Sequence, residues 1–336
     1  MHEMVKALVT GGTGFLGAHI VRLLVAAGHE VRLLRRASSR LDLVADLPVE
    51  HALGDVTDAD SLHKAAAGCA WIFHTAAIAD YWRAQRAKMY QVNVEGTRNV
   101  LRAAQAAQAE RVIFTSSAAA VGLRPDGAPS DETVAFNLPP ERFPYGHSKM
   151  LAEQEVAKAV QAGLPVVTLN PSVIFGPGDL NLISGSLIVE PARGLVPPFY
   201  PAGAVTAIDV RDVAAAHLAA AERGAIGERY ILGAQDATYR ELFAMICQIV
   251  GVRAPKLLLP RALATPLAYL VGALSRLGLK LPVNADQIWL SARRVLFNSS
   301  KARAAFGEPR ISLRQSLEDT YQWYLQHGLI AKKARA

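Results

Sequence analysis

Thr10-Gly11-Gly12-Thr13-Gly14-Phe15-Leu16-Gly17 is the stretch on which the fold turns. It follows a short apolar run over residues 5–10 and leads directly into a helical pattern over 17–27, with Ile20, Val21, Leu23 and Leu24 on one face and Gly28 as terminator. Glycines at 11, 14 and 17 let a chain leave a strand sharply, approach a pyrophosphate closely and pack the next helix against that strand. The helix then points its unpaired N–H groups and the positive end of its dipole at the phosphates. Three glycines alone are a weak signal. Set between a strand and a helix, they predict a dinucleotide site, with a merely structural glycine turn as the alternative.

The same alternation continues outward. Strand patterns at 30–34, 49–53, 71–74, 111–115 and 166–169 are separated by alanine-rich helical segments, among them 94–108 with Val100 and Leu101 inward, and a helix from Tyr145 that Gly163-Leu164-Pro165 ends. The pattern predicts an α/β, Rossmann-type doubly wound parallel sheet with a smaller, mainly C-terminal substrate-binding lobe. Residues 1–175 read as the nucleotide domain, with 205–233 returning to it through a strand at 229–232. Residues 176–204 and 234–330 read as the second lobe, after Gly-Pro loops such as Gly176-Pro177-Gly178 and Val196-Pro197-Pro198, and 331–336 as a basic tail. There are no internal repeats.

Composition narrows the class. The chain has 336 residues, 51% of them hydrophobic and 19% charged, which suits a large buried core and gives no case for disorder. Its net charge of +7 is scattered, apart from pairs such as Arg35 with Arg36 and Arg293 with Arg294, and no aromatic residues interleave with it, so no nucleic-acid partner is expected. Cys69 and Cys247 have no metal-ligand spacing and are expected to be reduced; no metal site is read. The N-terminal apolar run passes straight into glycines without a cleavage signal, so a cytoplasmic location is expected. Residues 262–275 are uncharged and mostly apolar, yet fourteen residues interrupted by Pro266 fall short of a membrane span. They read as a buried or surface-lying helix, and membrane contact is the lesser alternative.

Two further positions concern the cofactor. An acidic residue at the end of the second strand holds a ribose 2′-OH, whereas an arginine there receives a 2′-phosphate. This chain has Arg35 and Arg36, which favours NADP(H) and leaves NAD(H) possible; two solvated charges are the plain alternative. Asp55, followed by Val56, is placed to accept a hydrogen bond from an adenine amino group, although a loop-start Asp looks the same.

The catalytic candidates are Ser117, after the fifth strand, and Tyr145 with Lys149, four apart and so on one helical face. A tyrosine with a pKa of about 10 is a poor base at neutral pH, and a fixed positive charge nearby lowers it. Lys149 can supply that charge, Ser117 can polarise a substrate oxygen, and Tyr145 can move the proton while hydride passes between cofactor and carbon.

Together these residues resemble the extended short-chain dehydrogenase/reductase family, within the NAD-dependent epimerase/dehydratase superfamily. The resemblance extends through His74-Thr75-Ala76-Ala77, Asn93-Val94-Glu95-Gly96-Thr97, Asn170-Pro171-Ser172, Gly176-Pro177-Gly178-Asp179 and Ile208-Asp209-Val210-Arg211-Asp212-Val213. It implies cofactor contacts at Gly11, Thr13, Gly14, Phe15, Leu16 and Gly17, at Thr75, Ala76 and Ala77, at Tyr145 and Lys149, and at Pro171, Ser172 and Val173. It also implies that Asn93 helps hold the tyrosine and lysine through a water, where a plain helix N-cap is the alternative. A homodimer through the helices opening at Asn93 and Tyr145 is implied on the same ground.

Departures point to the branch. Sugar-nucleotide dehydratases carry an acid just after the catalytic serine, where this chain has Ala118, Ala119 and Ala120; many sugar-nucleotide members have Asn where Val173 stands. The stretch 72–97 is similar to the dihydroflavonol-4-reductase-like branch, which includes members labelled hopanoid-associated sugar epimerases, and Arg36 is where flavonoid reductases carry their phosphate-binding arginine. Tyr81, Trp82 and Phe175, with Phe199 and Tyr200, are candidates for an apolar substrate pocket or for plain core packing. The expected activity is ketone and secondary-alcohol interconversion on a fairly apolar small molecule. A nucleotide-sugar epimerase is the alternative, and a non-catalytic nucleotide-binding module is disfavoured because the Tyr and Lys pair is present.

Overall fold

The computed structural model describes residues 4–79, 85–276 and 284–331. The first half lays down β1 (Lys6–Thr10), α1 (Phe15–Ala26), β2 (Glu30–Arg35), β3 (Glu50–Leu53), α2 (Ala59–Ala66), β4 (Trp71–His74), α3 (Arg86–Tyr90), α4 (Gly96–Ala106), β5 (Arg111–Thr115), α5 (Pro144–Gln161) and β6 (Val166–Pro171). Then come β7 (Val173–Phe175), α6 (Ser186–Ala192), β8 (Phe199–Pro201), β9 (Ala204–Asp209), α7 (Val210–Arg223), β10 (Arg229–Leu232), β11 (Gln235–Thr238) and α8 (Tyr239–Val250). The chain ends with β12 (Leu257–Leu259), α9 (Arg261–Arg276), α10 (Ala285–Ser291), β13 (Arg294–Val295), α11 (Ser300–Phe306) and α12 (Leu313–Gln326).

Seven parallel strands form the central sheet in the order β10-β6-β5-β4-β1-β2-β3. Its inner strands are covered on both faces, which is why Trp71-Ile72-Phe73-His74 and the whole of β6 are buried while the edge strand β3 is not. One face packs on α1 and α7 through Val9, Ile20, Leu24 and Val213, the other on α2, α4 and α5 through Leu8, Leu62, Val100 and Val156. The strand order reverses between β1 and β4, and in such sheets the ligand crevice opens there, beyond the carboxyl ends of the strands.

The returning segment is divided between two sheets. β9 pairs with β7, β11 and β13 in the second lobe, whereas α7 and β10 rejoin the nucleotide domain. The second lobe has its own core, with Phe175, Leu242, Ile246, Leu317 and Tyr324. α8 is fixed at both ends, by a Thr238–Glu241 capping box and by left-handed Gly251. The apolar segment at 262–275 is α9, and it lies on the surface with Ala264, Ala268 and Val271 turned inward. No helix among the described residues is long and apolar enough to cross a membrane. Both cysteines are free and buried.

Candidate active site

The crevice at the strand-order reversal is continuous with the gap between the two lobes, giving one cavity of about 1480 Å³. That exceeds the roughly 300–1,000 Å³ of a single small-molecule site and suits a dinucleotide with a substrate beside it. All the positions read as cofactor contacts from Gly11 to Val173 line it, and so does Ser117.

The loop after β1 is built for close approach. Gly11 has φ +74°, and a Cβ there would lie 2.6 Å from the Ala76 backbone nitrogen; one on Gly17 would lie 2.2 Å from the Gly11 carbonyl. Gly14 caps α1 without any side-chain hydrogen bond, so the N–H groups of the first turn are left for a ligand. The Ser172 hydroxyl oxygen, on the cavity wall, is buried with no hydrogen-bond partner among the described residues. A bare helix N-terminus, a backbone cradle and an orphaned hydroxyl together fit a dinucleotide.

Around the far phosphate end, Arg35 donates to His51 Nδ1 at 3.2 Å, whereas the Arg36 guanidinium makes no hydrogen bond or ion pair among the described residues. Ser38 and Ser39 line the cavity beside it, and the Ser39 hydroxyl accepts the Arg36 backbone N–H at 3.1 Å. Sequence reasoning passed over these serines, though a polar Ser-Ser step after Arg36 was visible. Asp55 Oδ1 accepts from both the N–H and the hydroxyl of Thr57. Those bonds, with Arg36 and Lys88 nearby, hold its carboxyl below the usual range against the opposing effect of burial.

The Ser117 side chain lies near enough to the Tyr145 phenol to lower its pKa. Burial pushes the Tyr145 phenol up to about 12, and the Ser117 side chain only partly offsets this. The causes of the shift on this phenol are burial, which raises it, and the Ser117 side chain, which lowers it. Lys149 is itself buried and brought down to about 8, with Glu153 opposing the shift.

The supports of this pair lie behind the cavity wall. Asn93 is not an N-cap: it is buried inside a π-helical turn, Gln91–Glu95, that joins α3 to α4 without a break. Its side chain pairs with both backbone groups of Ile78 and donates to Ser148 Oγ at 2.9 Å, and Ser148 donates to the Tyr145 carbonyl at 2.7 Å. Glu153 accepts from Ser116 Oγ, from Asn170 Nδ2 at 2.6 Å and from Arg229 Nη1 at 2.8 Å, and Asn170 also donates to the Ser117 carbonyl. Ser117 thus follows a strand end tied to three elements.

The substrate side departs most from the sequence reading. Phe175 does not line the cavity; it is buried in the second lobe's core, in one cluster with Ile188 and Tyr324. Phe199 lines the cavity and Tyr200 does not, while Tyr81 and Trp82 lie outside the described residues. Leu195, Tyr239, Leu259, Leu267, Val271, Gln287 and Ile288 form walls that no motif announced.

A glycine loop, a hydroxyl pair and a buried lysine at the carboxyl edge of a parallel sheet define a nicotinamide-dinucleotide enzyme. The NAD dependent epimerase/dehydratase family matches residues 7–233, and the chain belongs to that family. A Synechocystis sp. protein bearing the provisional name dihydroflavonol 4-reductase is 40% identical over 96% of this chain and 95% of its own. Sterol demethylase protein B of Methylococcus capsulatus is 33% identical over 96% and 99%. The crystal structure of gox2253 matches with a TM-score of 0.86 at 38% identity, covering 97% of this chain and 99% of the other.

Proposed function

We propose that the protein is an NADP(H)-preferring reductase that converts a ketone on a fairly apolar small molecule into a secondary alcohol. The observation that carries this reading is the distribution of charge along the cavity. Its cations, Arg35, Arg36, Arg40, Lys88 and Lys149, belong to the nucleotide domain, and no Lys or Arg stands among the described lining residues of the second lobe. That half is walled by Leu187, Leu195, Leu259, Leu267, Val271 and Ile288. A nucleotide sugar would bring a diphosphate there with no cation to meet it among the described residues, and burying it unpaired is costly. A dihydroflavonol and a sterol, for which two relatives are named, are ring molecules of low charge that such a wall suits.

Bound NADPH supplies the hydride. The Ser117 and Tyr145 hydroxyls, both on the cavity wall, offer two O–H donors to one carbonyl oxygen, which stabilises the charge that grows on it. Tyr145, protonated throughout the neutral range, delivers its proton to that oxygen as the carbon receives the hydride. Lys149, protonated below about pH 8, supports the phenol as it gives up the proton. The Arg36 guanidinium, without a hydrogen bond among the described residues, with Ser38 and Ser39 beside it and no acidic residue between β2 and Arg40, supports preference for a 2′-phosphate.

The test follows nicotinamide absorbance with purified protein, NADPH or NADH, and a panel of flavanonols, steroid ketones, simple ketones and nucleotide sugars. NADPH consumption with an apolar ketone, yielding the alcohol, is the expected result. Conversion of a nucleotide sugar without net cofactor change would replace this reading with an epimerase.

A further inference from the structure

The outer wall of the cavity has two apolar sides. α9 turns Leu267 and Val271 toward the cavity. Its opposite side carries Ala262, Leu263, Pro266, Tyr269, Leu270 and Ala273, all exposed and none charged, at spacings of three and four that align them on one stripe. Leu263, Tyr269 and Leu270 are 58%, 64% and 56% exposed. The strand leading into the helix adds exposed Leu257 and Leu258, and Leu195, 65% exposed, lines the cavity as well. Apolar surface therefore runs from the cavity rim onto the outside of the protein. Single exposed leucines need no explanation, but a contiguous apolar face marks a docking surface.

Along the stretch of chain that carries this helix the charges are of one sign. Residues 242–285 include Arg253, Lys256, Arg261, Arg276 and Lys280, and no Asp or Glu. Arg253, Lys256 and Arg261 are exposed, and the Arg142 guanidinium stands 5.5 Å from the centre of the Tyr269 ring. The first carboxylate beyond, Asp286, is 3.9 Å from Arg142 and does not offset the rest. A second copy of the chain, meeting this face about a two-fold axis, would set these cations against their own counterparts. An anionic lipid surface would receive both parts at once, the stripe at the acyl boundary and the cations among the phosphates, as interfacial helices do.

We propose that this face docks on an anionic bilayer, the outer stripe of α9 with Leu257 and Leu258 entering the headgroup boundary and Arg253, Lys256 and Arg261 meeting lipid phosphates. The cavity rim at Leu195 then opens next to the lipid. That the bilayer also delivers the substrate rests on the apolar-substrate reading above; the docking does not.

The test is co-sedimentation of the full chain with vesicles of phosphatidylcholine alone and of an equal mixture with phosphatidylglycerol. The wild type should pellet with the anionic vesicles, less so at high salt and with the neutral ones. Leu263→Ser with Leu270→Ser, at exposed positions outside the core, should weaken that binding about tenfold or more while leaving NADPH binding intact. Arg261→Glu, a second and independent variant, should weaken it with a shallower salt dependence. A wild type that stays in the supernatant, or variants that bind as it does, would overturn the proposal. So would a wild-type oligomer that Leu263→Ser with Leu270→Ser reduces to monomer, since the face would then belong to a second copy. A protein that binds vesicles yet reduces no ketone would sink the proposed activity and leave the docking standing.

Discussion

Lys149 Nζ donates a hydrogen bond to the Thr115 carbonyl at 2.7 Å, 4.8 Å from the centre of the Phe114 ring, and so ties α5 to the strand end that leads to Ser117. Burial lowers this ammonium to about 8, so it is charged below that pH and neutral above it. Tyr145, near 12, keeps its proton across the same range. For reduction, kcat/KM should therefore be level on the acid side and fall as pH rises through about 8, as the charge that supports the phenol is lost. A pH profile with no limb in that region would separate Lys149 from the proton transfer.

Tyr145→Phe removes the proton donor and leaves the ring in its buried place. Turnover should fall by about a hundredfold to ten-thousandfold, with NADPH affinity, measured by fluorescence titration, almost unchanged. Turnover near the wild-type rate would strip Tyr145 of its role.

Arg36→Asp replaces a cavity-lining guanidinium with a carboxylate that repels a 2′-phosphate and can hold a 2′-OH. A charge-assisted bond is worth roughly 1.5–3 kcal/mol, so NADPH affinity should drop about tenfold or more while NADH gains. An unchanged ratio of the two dissociation constants would refute the phosphate site.

The nucleotide half of this molecule was legible because its signals are local. Gly11, Gly14 and Gly17 sit within one turn of chain, and Tyr145 with Lys149 within one turn of helix, so spacing alone conveys the geometry. The strand at Arg229–Leu232 was legible too, since Tyr230, Ile231 and Leu232 form the short apolar run that a strand covered on both faces requires. The substrate half is assembled from far apart in the chain, with Leu195, Tyr239 and Gln287 on separate elements and no motif among them. Phe175 shows the limit of reading by type: an aromatic side chain next to cavity-lining Val173 and Ile174 is itself buried in the second lobe's core, and nothing local in the sequence says so. The π turn around Asn93 was equally hidden, because one added residue in a helical turn leaves the apolar pattern almost intact.

Asn93→Ala would leave the Ile78 N–H and carbonyl without their side-chain partner and Ser148 without a donor. Each buried group left unsatisfied costs about 1–3 kcal/mol, so denaturant unfolding should show a loss of at least that size. Turnover should fall further than cofactor affinity, because the lost bonds hold the segment of α5 that carries Tyr145. A loss below about 0.5 kcal/mol would show that neither the Ile78 segment nor α5 depends on Asn93.

Acid should weaken the fold before the carboxylates titrate. His74, between Thr10 Oγ1 at 2.7 Å and Thr97 Oγ1 at 3.0 Å, is held down to about 3 by burial and by the charge on Lys149. His217, between Thr115 Oγ1 and the Val213 carbonyl, both at 2.8 Å, is held to about 4 by burial. His19 is lowered in the same direction. Folded values below the ordinary imidazole value of about 6.5 mean that the unfolded chain binds protons that the folded one refuses, so stability is full above that pH and falls below it toward the folded values. Each imidazole contributes a slope approaching about 1.4 kcal/mol per pH unit. Between about pH 6.5 and 5, where ordinary carboxylates of pKa near 4 stay ionised, urea unfolding should show the free energy falling steadily. A stability that is level across that interval would mean these histidines are solvated or charged in the folded protein, contrary to their burial between hydroxyl and carbonyl partners.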